Sequence, residues 1–328
     1  MILICGGAGY VGSHMVRALV AQGEKPVVID SLRTGHKAAV HPDAVFVQGD
    51  IRDRATLDGI LAGYPIDAVI HFAASTQVGE SVQKPLEYFN NNVLGMQTLL
   101  EAMVAHSVRN LVFSSSAAVY GDPDTVPVTE DAPHRPTSPY GETKRIMEEM
   151  MRWVGPAHGI ASVSLRYFNV AGAIADGSLG EAHFPESHLI PLILQVPLGR
   201  RKQITVFGDD YDTPDGTCIR DYIHVEDLAD AHILALAYLR NGGRSDAVNL
   251  GNGAGFSVKE VIATAEKVVG KSIPSRIEGR RAGDPARLVA SSAKAEAVLG
   301  WKPTRSDLEN IVATAWNWHA KHPDGYER

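Results

Sequence analysis

Tyr140 and Lys144 stand four positions apart in SPYGETK (residues 138–144), and Ser116 closes the run FSSS at the end of an apolar stretch. On a helix this spacing puts both side chains on one face, about a turn apart. A phenol titrating near ~10 is a poor base at neutral pH, but an adjacent ammonium favours the phenolate. The expected chemistry is removal of a proton from a substrate hydroxyl by Tyr140, with Lys144 lowering its pKa and Ser116 bonding the same oxygen. A tyrosine and lysine at this spacing are often a surface coincidence. Here they accompany a nucleotide-binding turn.

That turn is GGAGYVG, which sets Gly6, Gly9 and Gly12 between a first apolar strand and a first helix. Glycines at these positions let the backbone turn tightly and aim amide N–H groups at a pyrophosphate. Asp30 follows at the end of the next strand, where a carboxylate can accept hydrogen bonds from an adenosine ribose. The same charge repels a 2′-phosphate, so NAD is expected over NADP, with Arg33 nearby leaving the second open. Asp50 and Ile51 end the third strand and are expected to meet the adenine.

The elements that must position these groups alternate in type. Apolar runs at residues 2–5, 26–30, 45–48, 68–72 and 110–114 are separated by helix-period segments over 12–22, 55–61 and 86–105. This rhythm predicts an α/β fold with a Rossmann-type doubly wound parallel sheet, whose ligands sit at the carboxyl ends of the strands. Beyond Tyr167 the pattern becomes shorter and mixed. We therefore expect a nucleotide-binding domain over 1–168, with a segment near 219–240 returning to it, and a smaller mixed α/β substrate lobe over 169–328. No repeat or low-complexity tract interrupts the chain.

Composition narrows the function. The 31 basic and 38 acidic residues leave a net charge of −7, without a basic stripe, which argues against nucleic acid. Cys5 and Cys218 lie too far apart in sequence for a CxxC site, and no disulfide framework is expected. The 13 histidines include no HExxH or similar short pair, so no metal is expected. The first strand begins beside Met1 and no apolar stretch reaches membrane length, which predicts a soluble cytoplasmic protein.

GGAGYVG, SSS-x-x-VYG and YxxxK together resemble the extended short-chain dehydrogenase/reductase family acting on nucleotide sugars. RYFNVAG (166–172), DGTCIRDYIHV (215–225), RRAGDPA (280–286) and LGW (299–301) extend the resemblance to its UDP-sugar 4-epimerases over nearly the whole chain. The similar 4,6-dehydratases and decarboxylases carry acids where this chain has Ala117 and Ala118. Methyl groups can neither donate nor accept a proton, so oxidation and re-reduction at C4 are what remain.

The resemblance implies tightly held NAD, a 4-keto intermediate that turns about its pyrophosphate link, and interconversion of UDP-galactose and UDP-glucose. It implies cofactor contacts from Gly6, Gly9, Tyr10, Val11, Gly12, Asp30, Ser31, Leu32, Asp50, Ile51, Phe72, Ala73, Ala74, Thr76, Asn91, Tyr140, Lys144 and Phe168. For the substrate it implies Ser116, Tyr140, Asn169, His188, Leu189, Thr205, Val206, Phe207, Arg220, Arg281, Asp284 and Leu288. Similar enzymes pair through helices at the position of residues 86–105, which predicts a homodimer.

Three positions depart from relatives: Thr76 replaces a lysine, His188 an asparagine, and Leu288 is intermediate at a position linked to admitting N-acetylated sugars. UDP-xylose/UDP-arabinose or a UDP-N-acetylhexosamine therefore stays open as substrate. A non-catalytic NAD-sensing protein is the reading from another class.

Overall fold

Strands that are apolar along their whole length must be covered on both faces. The computed structural model describes residues 1–281 and 284–326, and places strands with apolar centres in one seven-stranded sheet. Within it β1 (Ile2–Cys5) is flanked on one side by β2 (Val27–Asp30) and β3 (Val45–Gln48). On the other side follow β4 (Ala68–His71), β5 (Asn110–Ser116) and β6 (Ala161–Tyr167). All pairings are parallel. The chain grows outward from β1 to β3 and then returns to β1's other edge with β4, which opens a crevice beyond the strand ends.

The two faces of the sheet carry separate cores. Ile2, Ile4, Val28 and Ile70 pack with Met15, Val16 and Leu19 of α1 (Tyr10–Ala21) and with Leu228 and Leu236 of the Val225–Arg240 helix. Leu3, Cys5, Val69 and Phe113 face the opposite way, against Leu57, Leu99, Met147 and Met151 from three other helices. Period-2 alternation thus hides inside uniformly apolar strands.

The seventh strand is Asp246–Leu250, paired with β6. The segment near 219–240 divides. Its helix packs on the main sheet, but Tyr222–His224 pairs with Asn169–Ala171 in a separate two-stranded sheet. The Asp221 carboxylate is the reason, since it takes the backbone N–H groups of Asn252, Gly253 and Ala290 and anchors the segment there.

The remaining C-terminal elements are small sheets and helices. Ile219–Arg220 lies between Phe256–Ser257 and Arg287–Leu288, while Ile204–Phe207 pairs with Ser275–Glu278. Ile193, Val206, Val261 and Ile311 form their core. The RRAGDPA motif includes residues 282 and 283, which lie outside the described residues. Among the described residues no helix is long and apolar enough to cross a membrane.

One long helix is expected over 86–105, and the chain is helical without a break from Pro85–Tyr88 through Gly95–Ala105, with a wide π turn at Phe89–Leu94 inside it. The wide turn accommodates Asn92, which is fully buried. Its Oδ1 accepts the Ser75 N–H at 2.8 Å, and its Nδ2 donates to Ser75 O at 3.1 Å and Thr143 Oγ1 at 3.0 Å. The loop after β4 is thereby tied to the helix carrying Lys144. Asn92→Ala would leave buried polar groups unpaired and should cost about 2–4 kcal/mol. Urea unfolding checks this, and a loss within error of zero would show that the three bonds are not restraining the fold.

Candidate active site

Ser138 caps the Pro139–His158 helix, its hydroxyl accepting the Gly141 N–H at 3.2 Å, and Pro139 takes the first position. Tyr140 and Lys144 then fall in its opening turns. A Cβ on Gly141 would lie 2.4 Å from the Ala118 carbonyl oxygen. Glycine is therefore needed for the helix to start against the Ala117–Val119 turn that follows β5.

The three serines at the end of β5 have different partners. Ser114 shares a hydrogen with the Tyr167 hydroxyl, and Ser115 donates to Glu148 at 2.5 Å. Ser116, the last residue of the strand, accepts the Ala118 N–H at 3.1 Å, and its hydroxyl is the side chain that pulls the Tyr140 phenol's pKa down. Only the third hydroxyl is thus directed to the phenol. Glu148 also binds Arg166 at 2.6 and 3.0 Å, and Arg166 holds the Tyr120 hydroxyl at 2.8 Å. This buried network fixes the floor beneath the site.

Lys144 is buried, and its amine donates to Ser114 O at 2.7 Å. It stands 4.8 Å from the Phe113 ring centre and 5.9 Å from that of Tyr140. The sequence predicts that this cation lowers the phenol's pKa. In the chain by itself the opposite direction holds. Burial raises Tyr140 against the pull of Ser116, and burial lowers Lys144 to about 7 against the pull of Glu148. Desolvation penalises both charged forms, and the amine is held at the ring and a main-chain carbonyl.

The glycine turn fits a dinucleotide. Gly6 has φ +84°, and a Cβ there would lie 2.7 Å from Ala73 N; one on Gly12 would lie 2.1 Å from Gly6 O. The loop after β1 is thus packed onto Phe72 and Ala73. Gly9, by contrast, has room for a Cβ and begins α1 with no side-chain cap and no acid in its first turn. The N–H groups of Tyr10, Val11 and Gly12 make that end an anion site.

Asp30 is buried, its oxygens accepting Ala8 N–H at 2.9 Å and Leu32 N–H at 2.8 Å. Each oxygen retains a lone pair for a ribose hydroxyl. Leu32 adopts φ 59°, and Ser31 beside it is exposed. Arg33 is drawn to Ser75 Oγ at 2.9 Å. Asp50 is clamped by Arg52 at 2.9 and 2.5 Å, while Ile51 is buried against Gly95. Ala74 is half-buried and Thr76 exposed on the loop after β4, and Asn91 donates to Asn92 Oδ1 at 3.1 Å.

The other expected residues gather at the small lobe. Arg220 pairs with Asp284 and lies in register with Leu288. The Arg281 guanidinium stacks 4.0 Å from the Phe207 ring centre, on the strand that also carries Thr205 and Val206. Phe168 and Leu288 pack on one cluster with Val119 and Tyr120. Asn169 donates its side-chain amide to Asp221 O at 3.0 Å.

His188 departs from this group. It caps the Leu189–Leu194 helix, and its Nδ1 lies 2.5 Å from Glu181, in a cluster with His183 and Glu186. Burial opposes charge on His188, but Glu181 and Glu186 raise it to about 10. Sequence reading passed over this cluster. Its signal was E-x-H-x-x-E-x-H over 181–188, which follows no helical ligand spacing.

A parallel sheet with a glycine turn, an acid at the end of β2 and a Ser–Tyr–Lys group at the end of β5 defines a dinucleotide-dependent enzyme of the short-chain dehydrogenase type. The chain belongs to the NAD dependent epimerase/dehydratase family, whose model matches residues 2–251. It is 56% identical to the UDP-glucose 4-epimerase of Halalkalibacterium halodurans, over 99% of this chain and 97% of that protein. A crystal structure of a UDP-glucose 4-epimerase superposes with TM-score 0.98 at 54% identity, covering 100% of this chain and 99% of the other. Another from Stenotrophomonas maltophila, with bound NAD and formylated UDP-arabinopyranose, gives 0.96 at 43%, with 99% of both chains covered.

The lowered Lys144 pKa has a sign that can be tested in nucleotide-free protein. Below about pH 7 the folded chain carries a buried charge; between there and the ordinary 10.5, unfolding takes up a proton, so stability rises with pH. Lys144→Met removes this dependence. Its stability relative to the parent should be highest near about pH 6 and fall towards about pH 9 in urea unfolding, whereas a constant difference would mean an ordinary amine.

Proposed function

We propose that the chain interconverts UDP-galactose and UDP-glucose by inverting C4 through a 4-keto sugar. The observation carrying this reading is the Ser116–Tyr140–Lys144 group followed by two alanines, in a family member more than half identical to named 4-epimerases. Bound NAD supplies a hydride acceptor and later a donor. Tyr140 takes the proton of the 4-hydroxyl and Ser116 hydrogen-bonds the same oxygen. Lys144 stands beside the phenol ring, and its ammonium form favours the phenolate.

Ala117 and Ala118 offer the intermediate no acid or base, so elimination and decarboxylation lack a proton carrier. The keto sugar then turns, and Tyr140 returns a proton to the oxygen on the inverted carbon. In this reading the cofactor is held by Gly6, Gly9, Tyr10, Val11, Gly12, Asp30, Ser31, Leu32, Asp50, Ile51, Phe72, Ala73, Ala74, Thr76, Asn91 and Phe168. The UDP moiety takes Asn169, His188, Leu189, Thr205, Val206, Phe207, Arg220, Arg281, Asp284 and Leu288. Arginine forks at 220 and 281 match phosphate oxygens bidentately.

We divide the chain into a nucleotide domain over 1–168, supplemented by part of 219–240, and a substrate lobe over 169–328. A homodimer is our reading of the groove of about 430 Å³ between the Gly95–Ala105 and Pro139–His158 helices, lined by Leu100, Val104, Met150 and Val154. Two unpaired, buried cysteines suit a reducing compartment such as the cytoplasm.

Purified protein given UDP-galactose, UDP-xylose or UDP-N-acetylglucosamine without added NAD should invert C4, fastest for UDP-galactose. Inversion of none of them would remove the reading. Tyr140→Phe should retain the nucleotide while its turnover falls by about 10²–10⁴. Turnover near that of the parent would mean that another group is the base.

A further inference from the structure

Glu181, His183, Glu186 and His188 bring four ligand atoms within 4.8 Å of one another. The His188 Nδ1 lies 2.5 Å from Glu181 Oε1 and 3.4 Å from Glu186 Oε1. The His183 Nδ1 lies 3.0 Å from Glu181 Oε1 and 3.8 Å from Glu186 Oε2. Two imidazole nitrogens and two carboxylates thus converge on one small volume. A zinc ion bonded at about 2.0–2.2 Å needs tetrahedral ligand atoms about 3.3–3.6 Å apart, within the span observed.

The surroundings of the two acids are unlike those of other buried carboxylates here. Glu148 is paired with Arg166, and Asp227 accepts backbone N–H groups and the Arg305 guanidinium. Glu181 and Glu186 have side chains only 4% and 8% exposed, yet their ion-pair partners among the described residues are these histidines. Glu186 does take the N–H groups of Ser187 and His188. For Glu181, both side-chain hydrogen bonds among the described residues come from imidazole nitrogens. Two carboxylate charges held out of water draw positive charge to the cluster, which one divalent cation supplies in place of an imidazole proton.

We propose that Glu181, His183, Glu186 and His188 form a binding site for a divalent first-row transition ion of the zinc class. Imidazole nitrogens favour such ions over calcium or magnesium, which take oxygen ligands. The His188 side chain is 53% exposed, which gives the ion a path of entry. The position suits a positioning ion. Trp318 Nε1 holds Glu181 O at 2.8 Å, the His183 ring meets Tyr10 edge-on, and His188 leads into the Leu189–Leu194 helix. An ion here clamps the loop joining the glycine turn to the small lobe, and it does so whichever sugar the enzyme takes.

The test uses the purified protein with its nucleotide, stripped by EDTA, loaded with Zn²⁺ and dialysed near about pH 7.5, the ion displacing any proton that the acids hold on the imidazoles. Elemental analysis should find about one zinc per chain, and His183→Ala or Glu186→Gln should weaken binding at least about tenfold. Crystals of the parent protein with Zn²⁺ should show an anomalous peak between the four ligand atoms. No retained zinc, a peak elsewhere, or equal retention by folded variants would overturn the proposal. The crystal result stands even if a variant does not fold, and neither measurement depends on epimerase activity.

Discussion

The close approach of the Pro139–His158 helix to the end of β5 is the constraint from which the site follows. Gly141 permits it by lacking a Cβ that would strike the Ala118 carbonyl, and the Lys144 amine secures it by reaching Ser114 O at 2.7 Å. One contact sets the height of the phenol above Ser116, and the other sets the rotation of the helix. Asn92 adds a third restraint through Thr143, one position before the lysine. The chemistry is therefore positioned by main-chain contacts, which side-chain substitutions elsewhere leave in place.

Burial in this pocket moves the two titrating groups towards neutrality from opposite sides. A free lysine and tyrosine would both be protonated at pH 7, with the amine charged. Here the amine is close to losing its proton while the phenol keeps its own more firmly. The phenol therefore needs added positive charge to ionise. The protonated amine is one source of that charge, and unlike an arginine it can also give its proton up.

Much of this was legible in the sequence, for identifiable reasons. Strand β1 is short and wholly apolar, β2 and β4 are apolar up to their last residues, Asp30 and His71, and the glycine turn lies where strand passes into helix. Tyr140 and Lys144 share a capped helix, so their spacing translates directly into adjacency. The wide turn at Phe89–Leu94 was hidden because apolar residues continue on both sides of it and one additional residue per turn leaves no compositional mark. The Asp246–Leu250 strand was hidden because DAVNL is short and mixed, and its pairing with β6 depends on a partner far away in sequence. The Glu181–His188 cluster was missed because a loop, not a helix or hairpin, folds its four ligands together.

The distribution of polar groups also bears on how an epimerase can hold one part of its substrate and free another. At the end that we propose for the nucleotide stand charged or aromatic groups that are already engaged: Arg220 with Asp284, and Arg281 on Phe207. Their side chains are ordered before a ligand arrives, so binding a diphosphate there spends little entropy. At the reacting end, Ser116 and Tyr140 are followed by two alanines, and Ser114 and Ser115 are turned away to Tyr167 and Glu148. Few hydrogen bonds remain there to fix a hexose ring in one orientation. A sugar retained by its diphosphate and bonded mainly at one oxygen can exchange faces without leaving, whereas added donors around the ring would raise the barrier to that turn.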